Sequence, residues 1–122
     1  MNGLHTLTRA QRERITTLPV SRLDPHERYA RRMWDDMDAE PRGGVTVVGY
    51  RAMQGGVRYR VLDGECDRER AFFDPPRELG RVYCRLLRGC RVWYSSLDYP
   101  SRPYDGARRA LDAVLGELGV ES

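Results

Sequence analysis

The spacing of apolar residues changes from the helical period of about 3.6 to the strand period of 2 at Gly43 and Gly44. Before the two glycines, apolar side chains between residues 29 and 37 fall on one helical face. After them, residues 45–53 and 57–63 alternate as strands do and flank a Gln-Gly-Gly segment, which indicates a hairpin turn. The chain must therefore combine helices with an antiparallel sheet in an α+β arrangement.

Helices are expected near both ends of the chain. Thr8 and Gln11 have the spacing of a capping box, which predicts a short helix to about Thr17. At the other end, apolar residues recur on one face through residues 105–118, and Gly119 follows as a helix-ending glycine. We expect these helices to flank the sheet region.

A second N-terminal helix has the clearest start signal in the chain. Asp24 is placed as its N-cap, Pro25 as its first residue and Glu27 as the third. We expect this helix to continue until Pro41. It should pack through an apolar face formed by Tyr29, Ala30, Met33, Trp34 and Met37.

Residues 77–88 fit two different structures. Their apolar positions match one face of a helix with arginines opposite, and Gly89 is placed to end that helix. They also alternate well enough for a strand that would form a hairpin with residues 90–97. We favour the helix because of its start and stop signals. Residues 91–96 form a strand on either interpretation, and residues 68–73 could add a third one.

Together these patterns predict a single α+β domain over residues 1–122, a typical length for one domain. A helical part over residues 1–41 precedes a sheet region over residues 45–97 and a C-terminal helix over residues 105–118. We expect a small antiparallel sheet of three to five strands. The N-terminal helices and the C-terminal helix should pack on one face of it.

The 21 basic residues are all arginine, and the chain has no lysine. Lysine codons are A-rich, so a GC-rich bacterial or phage genome explains this bias, and the arginine excess alone does not indicate phosphate recognition. The net charge of +3 permits nucleic-acid binding without requiring it. No apolar run approaches the roughly 20 residues of a membrane span, and residues 1–10 lack a secretory signal, so we expect a cytoplasmic protein without membrane contact.

No arrangement of residues indicates a reaction. Cys66, Cys84 and Cys90 lack a CxxC pair, and nothing in their spacing brings them to His5 or His26. We expect passive thiols that are buried or half-buried. The glycine pairs lack the spacing of nucleotide-binding loops. The sequence therefore predicts no catalytic residues, no metal and no cofactor.

The hairpin arginines are the sharpest candidate for a binding site. With a two-residue turn, Arg51, Arg58 and Arg60 share one face of the hairpin. The intervening apolar and aromatic residues then share the other face, namely Tyr50, Tyr59 and Val61. Like charges facing each other across strands cost roughly 0.2–1 kcal/mol, so nearby acids or an anionic partner should compensate. A three-residue loop would break this arrangement.

Acidic residues gather at the end of the second helix, where Asp35, Asp36, Asp38 and Glu40 lie within six residues. The helix dipole disfavours negative charge there. Pairing with arginines four residues earlier would make this a solvated face. The alternatives are a surface for an arginine-rich partner and a metal site, although carboxylates pointing in different directions suit a metal poorly.

We expect a non-enzymatic binding protein whose partner is a protein or a nucleoprotein complex, since surfaces of both signs suit protein recognition. A short lysine-free chain also suits a phage or mobile-element inhibitor of a host system, such as an anti-CRISPR protein. The predicted partner-binding residues carry both signs of charge and are Arg51, Arg58, Arg60, Arg81, Arg85, Asp35, Asp36 and Asp38.

Two other functions remain open. The first is direct DNA or RNA binding through the arginine-rich sheet face, with Trp93, Tyr94 or Tyr104 stacking on bases. The second is a small ribonuclease that uses the Arg-Tyr-Arg triplet at residues 58–60 in place of a histidine pair. Strong dependence of binding on salt would mark direct nucleic-acid binding.

Overall fold

The computed structural model describes residues 7–51 and 57–120, and this part of the chain has an α+β fold. Its helices and strands are α1 (Arg9–Thr17), α2 (Pro25–Asp36), β1 (Met37–Arg42), β2 (Val45–Arg51), β3 (Val57–Asp63), α3 (Arg68–Phe73), β4 (Glu78–Leu87), β5 (Cys90–Ser95), β6 (Pro103–Tyr104) and α4 (Ala107–Glu117). The strands form one antiparallel sheet in the order β1 to β6. The α+β class with an antiparallel sheet is confirmed, but the described sheet has six strands instead of three to five.

The helices lie on both faces of this sheet, and the expectation of a single covered face is wrong. Helices α1 to α3 enclose a core with Val48 and Leu62, whereas α4 packs against Val47 and Val61. Neighbouring residues of a strand point to opposite faces. We call the two faces the α1–α3 side and the α4 side. The unbroken buried run at residues 45–48 reflects this burial on both sides.

The expected helix starts are confirmed. Thr8 and Gln11 form a capping box at α1, and Asp24 and Glu27 form another at α2. Helix α4 ends before Gly119, whose φ of +74° suits glycine. No helix within the described residues is both long and apolar enough to cross a bilayer.

Helix α2 ends at Asp36, several residues earlier than expected, and the chain continues as β1. Gly43 and Gly44 have φ values of +57° and +88° and form a tight turn that pairs β1 with β2. Residues 37–42 form strand instead of helix because their backbone N–H and C=O groups pair with β2 and Met37 is buried in the core. Pro41 is tolerated because β1 is an edge strand.

The buried face of α2 differs from the predicted one. Glu27 and Ala30 are buried and Trp34 is half-buried. Tyr29 and Met33 are 58% and 39% exposed, so their assignment to the core is wrong. The reason is that α2 contacts α1 and β2 through the face that carries Glu27, Ala30 and Trp34. The charge of Glu27 is neutralised there by an arginine of α1.

Residues 77–88 form strand β4 and its turn, so the favoured helical interpretation is wrong and the hairpin alternative holds. Arg88 and Gly89 have φ values of +52° and +79°, as a two-residue hairpin turn requires. Val82 is buried against α4, and β4 pairs with both β3 and β5. Conversely, residues 68–73 form α3 rather than a strand, with Asp67 as its N-cap.

Candidate functional site

The register of β2 and β3 separates the three hairpin arginines. Tyr50 is the register partner of Arg58, and these side chains share the α1–α3 side with Arg60. Arg51 pairs one position further out and therefore lies on the α4 side, with Tyr59. The predicted face of three arginines is wrong, because Arg51 is the register partner of Val57 and not of Arg58 or Arg60. The turn predicted at residues 54–56 lies outside the described residues.

Two arginines of β4 join Arg58 and Arg60 instead. Arg81 is the register partner of Arg60, and Arg85 lies four residues further along the strand, so both point to the α1–α3 side. Helices α2 and α3 contact β2 and β1 on this side. Arg81 and Arg85 are exposed, and Arg58 and Arg60 are half-buried.

Two tyrosines lie among these arginines. Tyr83 of β4 and Tyr94 of β5 are register partners, and their rings stack with centroids 5.4 Å apart and planes 17° from parallel. The Arg85 guanidinium lies 5.3 Å from the Tyr83 centroid and 5.8 Å from that of Tyr94. We define the open sheet face by these six side chains, Arg58, Arg60, Arg81, Arg85, Tyr83 and Tyr94.

One carboxylate partly neutralises the open sheet face. Glu78 accepts a hydrogen bond of 2.7 Å from Arg60 Nε and one of 2.9 Å from Arg81 Nε. Burial acts to raise the pKa of Glu78, but the hydrogen bonds from the two arginines outweigh it and hold the pKa below its ordinary value. Glu78 is therefore ionised at neutral pH, and positive charge remains in excess around it.

Arg58 and Arg85 are the least compensated arginines of the face. Arg58 Nε is buried and has no hydrogen-bond partner among the described residues. Arg85 contacts the two tyrosine rings, and neither arginine takes part in an ion pair within residues 7–51 and 57–120. The exposed Arg85 guanidinium can therefore donate to an external anion, and so can the part of the half-buried Arg58 guanidinium other than its buried Nε.

The predicted acidic residues lie elsewhere. Asp35 and Asp36 are the last two residues of α2. Arg31 Nε lies 3.1 Å from Asp35 Oδ1, an ion pair that the four-residue spacing predicts. Asp38 and Glu40 belong to the edge strand β1 and point to the α4 side, because their register partners do. The structure does not bring this acidic group to the open sheet face.

The arrangement does not support the triplet expected of a ribonuclease. Arg58 and Arg60 point to the α1–α3 side, whereas Tyr59 packs on the α4 side. Trp93 and Tyr104, two of the aromatic residues considered for base stacking, are also register partners on the α4 side. Of the three, Tyr94 alone lies on the open sheet face.

The residues that could bind metals or act as nucleophiles are dispersed. No group of three or more His, Cys, Asp or Glu side chains in the described part of the chain could hold a metal ion. Cys66 and Cys84 are half-buried, as expected. Cys90 is exposed, which contradicts that expectation, because it lies next to the turn of the β4–β5 hairpin.

Sequence reasoning missed Glu78 and Tyr83. The signal for Tyr83 was its position midway between Arg81 and Arg85, because a spacing of two places all three on one face of a strand. Glu78 carried no such signal, since an irregularity between Val61 and Leu62 shifts the register and sets its position.

No protein-family model matches the chain, and no match is found among curated proteins or solved structures.

Proposed function

We propose that the chain is a non-enzymatic binding protein that engages nucleic acid, free or within a nucleoprotein complex, through the open sheet face. The observation that carries this proposal is the gathering of four arginines on one sheet face, where a single carboxylate, Glu78, pairs with two of them. Guanidinium groups match phosphate oxygens with paired, charge-assisted hydrogen bonds. Nucleic acids present such phosphates in a row, which suits several arginines at once.

The position of the arginines supports a ligand that crosses the strands. Arg58 and Arg60 lie on β3, and Arg81 and Arg85 lie on the adjacent β4. Neighbouring strands are about 4.8 Å apart, so a single ligand can contact both rows. The sheet also holds the arginines at fixed spacing, which lowers the entropy cost of binding.

A protein partner is the second candidate, and a different observation favours it. Leu86 and Leu87 are 68% and 55% exposed near the end of the β4–β5 hairpin, beside the basic face. Exposed apolar side chains next to charged ones are typical of protein contacts. A phage or mobile-element inhibitor could use both features, with the hairpin on a host protein and the arginines on its nucleic acid.

The first test compares two double variants with the same loss of charge. Arg58→Gln with Arg85→Gln removes the two arginines of the face that have no described acid partner. Arg108→Gln with Arg109→Gln is the control, because both residues are exposed on α4, on the other side of the sheet. Binding of labelled mixed-sequence RNA and DNA is measured by fluorescence anisotropy.

We expect the open-face variant to bind about tenfold or more weakly, and the α4 variant to change little. The α4 variant should keep its stability within about 1 kcal/mol, as exposed sites do. Because Arg58 is half-buried, circular dichroism checks that the open-face variant is folded. Engagement of about three phosphates predicts a slope of log K against log salt of about −2 for single strands. Equal weakening in both variants, or no binding at low salt, would contradict the proposal.

A further inference from the structure

We infer that Tyr83 and Tyr94 form a stacking subsite for a nucleobase, so that the ligand of the open sheet face is a single strand. This inference rests on the proposed nucleic-acid function and specifies its ligand. The two rings lie on adjacent strands, nearly parallel, among arginines that can hold the flanking phosphates. Stacking on aromatic side chains beside a basic groove is how proteins hold single strands without base-pair recognition.

Three other aromatic side chains of the sheet differ from Tyr83 and Tyr94 because they pack against a core. Tyr59, Trp93 and Tyr104 pack against the core under α4. Tyr83 and Tyr94 belong to neither core and contact each other and Arg85 instead. Folding of the core therefore does not account for the tyrosine pair.

Arg85 defines how a base would enter. Its guanidinium lies over both rings and takes part in no ion pair with the described residues. A flat base has the same preference for the ring faces and can replace the guanidinium there. The displaced Arg85 then remains within reach of the adjoining phosphate, so the exchange retains its charge in the complex.

A duplex would not use this subsite. Its bases are paired and stacked inside the helix, and reading them requires a helix or ribbon that enters a groove. Tyr83 lies in the middle of β4 and Tyr94 near the end of β5, on a flat sheet face, so a base must leave the duplex to stack on the rings. Unpaired bases splayed onto a sheet are the usual target of such surfaces.

The test uses three probes of equal length: a mixed-sequence 12-nucleotide DNA strand, its duplex, and an abasic strand with the same phosphates but no bases. We expect the normal strand to bind at least tenfold more tightly than the abasic strand. Tyr83→Leu with Tyr94→Leu should remove most of this difference and leave abasic binding unchanged. Arg58→Gln should weaken binding of both strands.

Matched variants separate stacking from folding. Tyr83→Phe with Tyr94→Phe retains both rings and should retain the affinity for the normal strand. Tyr29→Leu, on the exposed side of α2, controls for loss of a surface tyrosine. Circular dichroism confirms that each variant is folded.

The outcomes are distinguishable. Equal binding of normal and abasic strands, tighter binding of the duplex, or a phenylalanine variant as weak as the leucine variant would overturn the stacking subsite. Each of these leaves nucleic-acid binding by the arginines intact. Failure of all three probes to bind at low salt would overturn the proposed function together with this inference.

Discussion

Arg14 of α1 donates two hydrogen bonds of 3.1 Å each to the Glu27 carboxylate of α2. Glu27 also accepts a hydrogen bond of 2.9 Å from the backbone N–H of Asp24, which completes the capping box. The hydrogen bonds from Arg14 and then from Asp24 lower the pKa of this buried glutamate from 4.5 to about 2. The charged pair thus connects the first two helices.

Stability should fall as the pH drops from about 4.5 to about 2, because the unfolded chain protonates Glu27 first. Above pH 4.5 the contribution of the ionised Glu27 to the free energy of unfolding is fully present, and below about pH 2 it is lost. Glu27→Gln should lower the melting temperature at pH 6 and much less at pH 3. Glu117→Gln, near the end of α4, is the control. If the melting temperatures of the parent and Glu27→Gln fell in parallel as the pH is lowered, this role of Glu27 would be contradicted.

Gly80→Ala should destabilise the protein by about 1–3 kcal/mol through overpacking. An added Cβ would lie 2.9 Å from Val114 Cγ1 and 3.3 Å from Leu97, where α4 packs on β4. The matched control is Gly116→Ala in α4, whose Cβ would meet no atom within 4 Å. That change should stabilise by roughly 0.5–1 kcal/mol, since alanine favours helix.

The Gly80 effect should depend on its neighbour. In a Val114→Ala background, Gly80→Ala should cost much less, because the clashing methyl group is gone. Urea denaturation of the four proteins measures this coupling. Additive effects of the two substitutions would place the helix–sheet contact elsewhere.

Thr46→Val should cost about 1–3 kcal/mol despite the similar shape of the two side chains. The buried Thr46 hydroxyl donates to the Gly64 carbonyl at 2.8 Å and accepts from the Cys66 N–H at 2.9 Å. Valine would leave both backbone groups without this partner. Thr17→Val, at an exposed position of α1, should change the free energy of unfolding far less. Equal effects in urea denaturation would refute the assignment.

Arg68→Lys should destabilise by about 1–2 kcal/mol although the charge is kept. The Arg68 guanidinium stacks 3.8 Å from the Trp34 ring centroid. It also donates to the backbone carbonyls of Trp34 and Met37 where α2 ends. Lysine has no planar group to make these contacts together. Arg70→Lys, on the exposed side of α3, is the control, and an equal shift in urea midpoint would exclude a specific role for Arg68.

Local chemistry determined where several elements begin. The Thr8 and Asp24 caps set the starts of α1 and α2, and the alternation of residues 57–63 set β3. These signals act within a few residues, so no distant contact was needed to interpret them. The predicted grouping of Arg81 with Arg85 also held, because a spacing of four places two side chains on one face of a helix or a strand.

Tertiary structure decided what these local patterns left open. Residues 78–87 suit a helix or a strand, and pairing with β3 and β5 under α4 selects the strand. The separation of Arg51 from Arg58 depends on the register of β2 and β3, since a shift of one residue reverses which face a side chain occupies. The candidate site thus combines a residue spacing visible in the sequence with strand pairings between distant segments, whose free energy exists only once the sheet has formed.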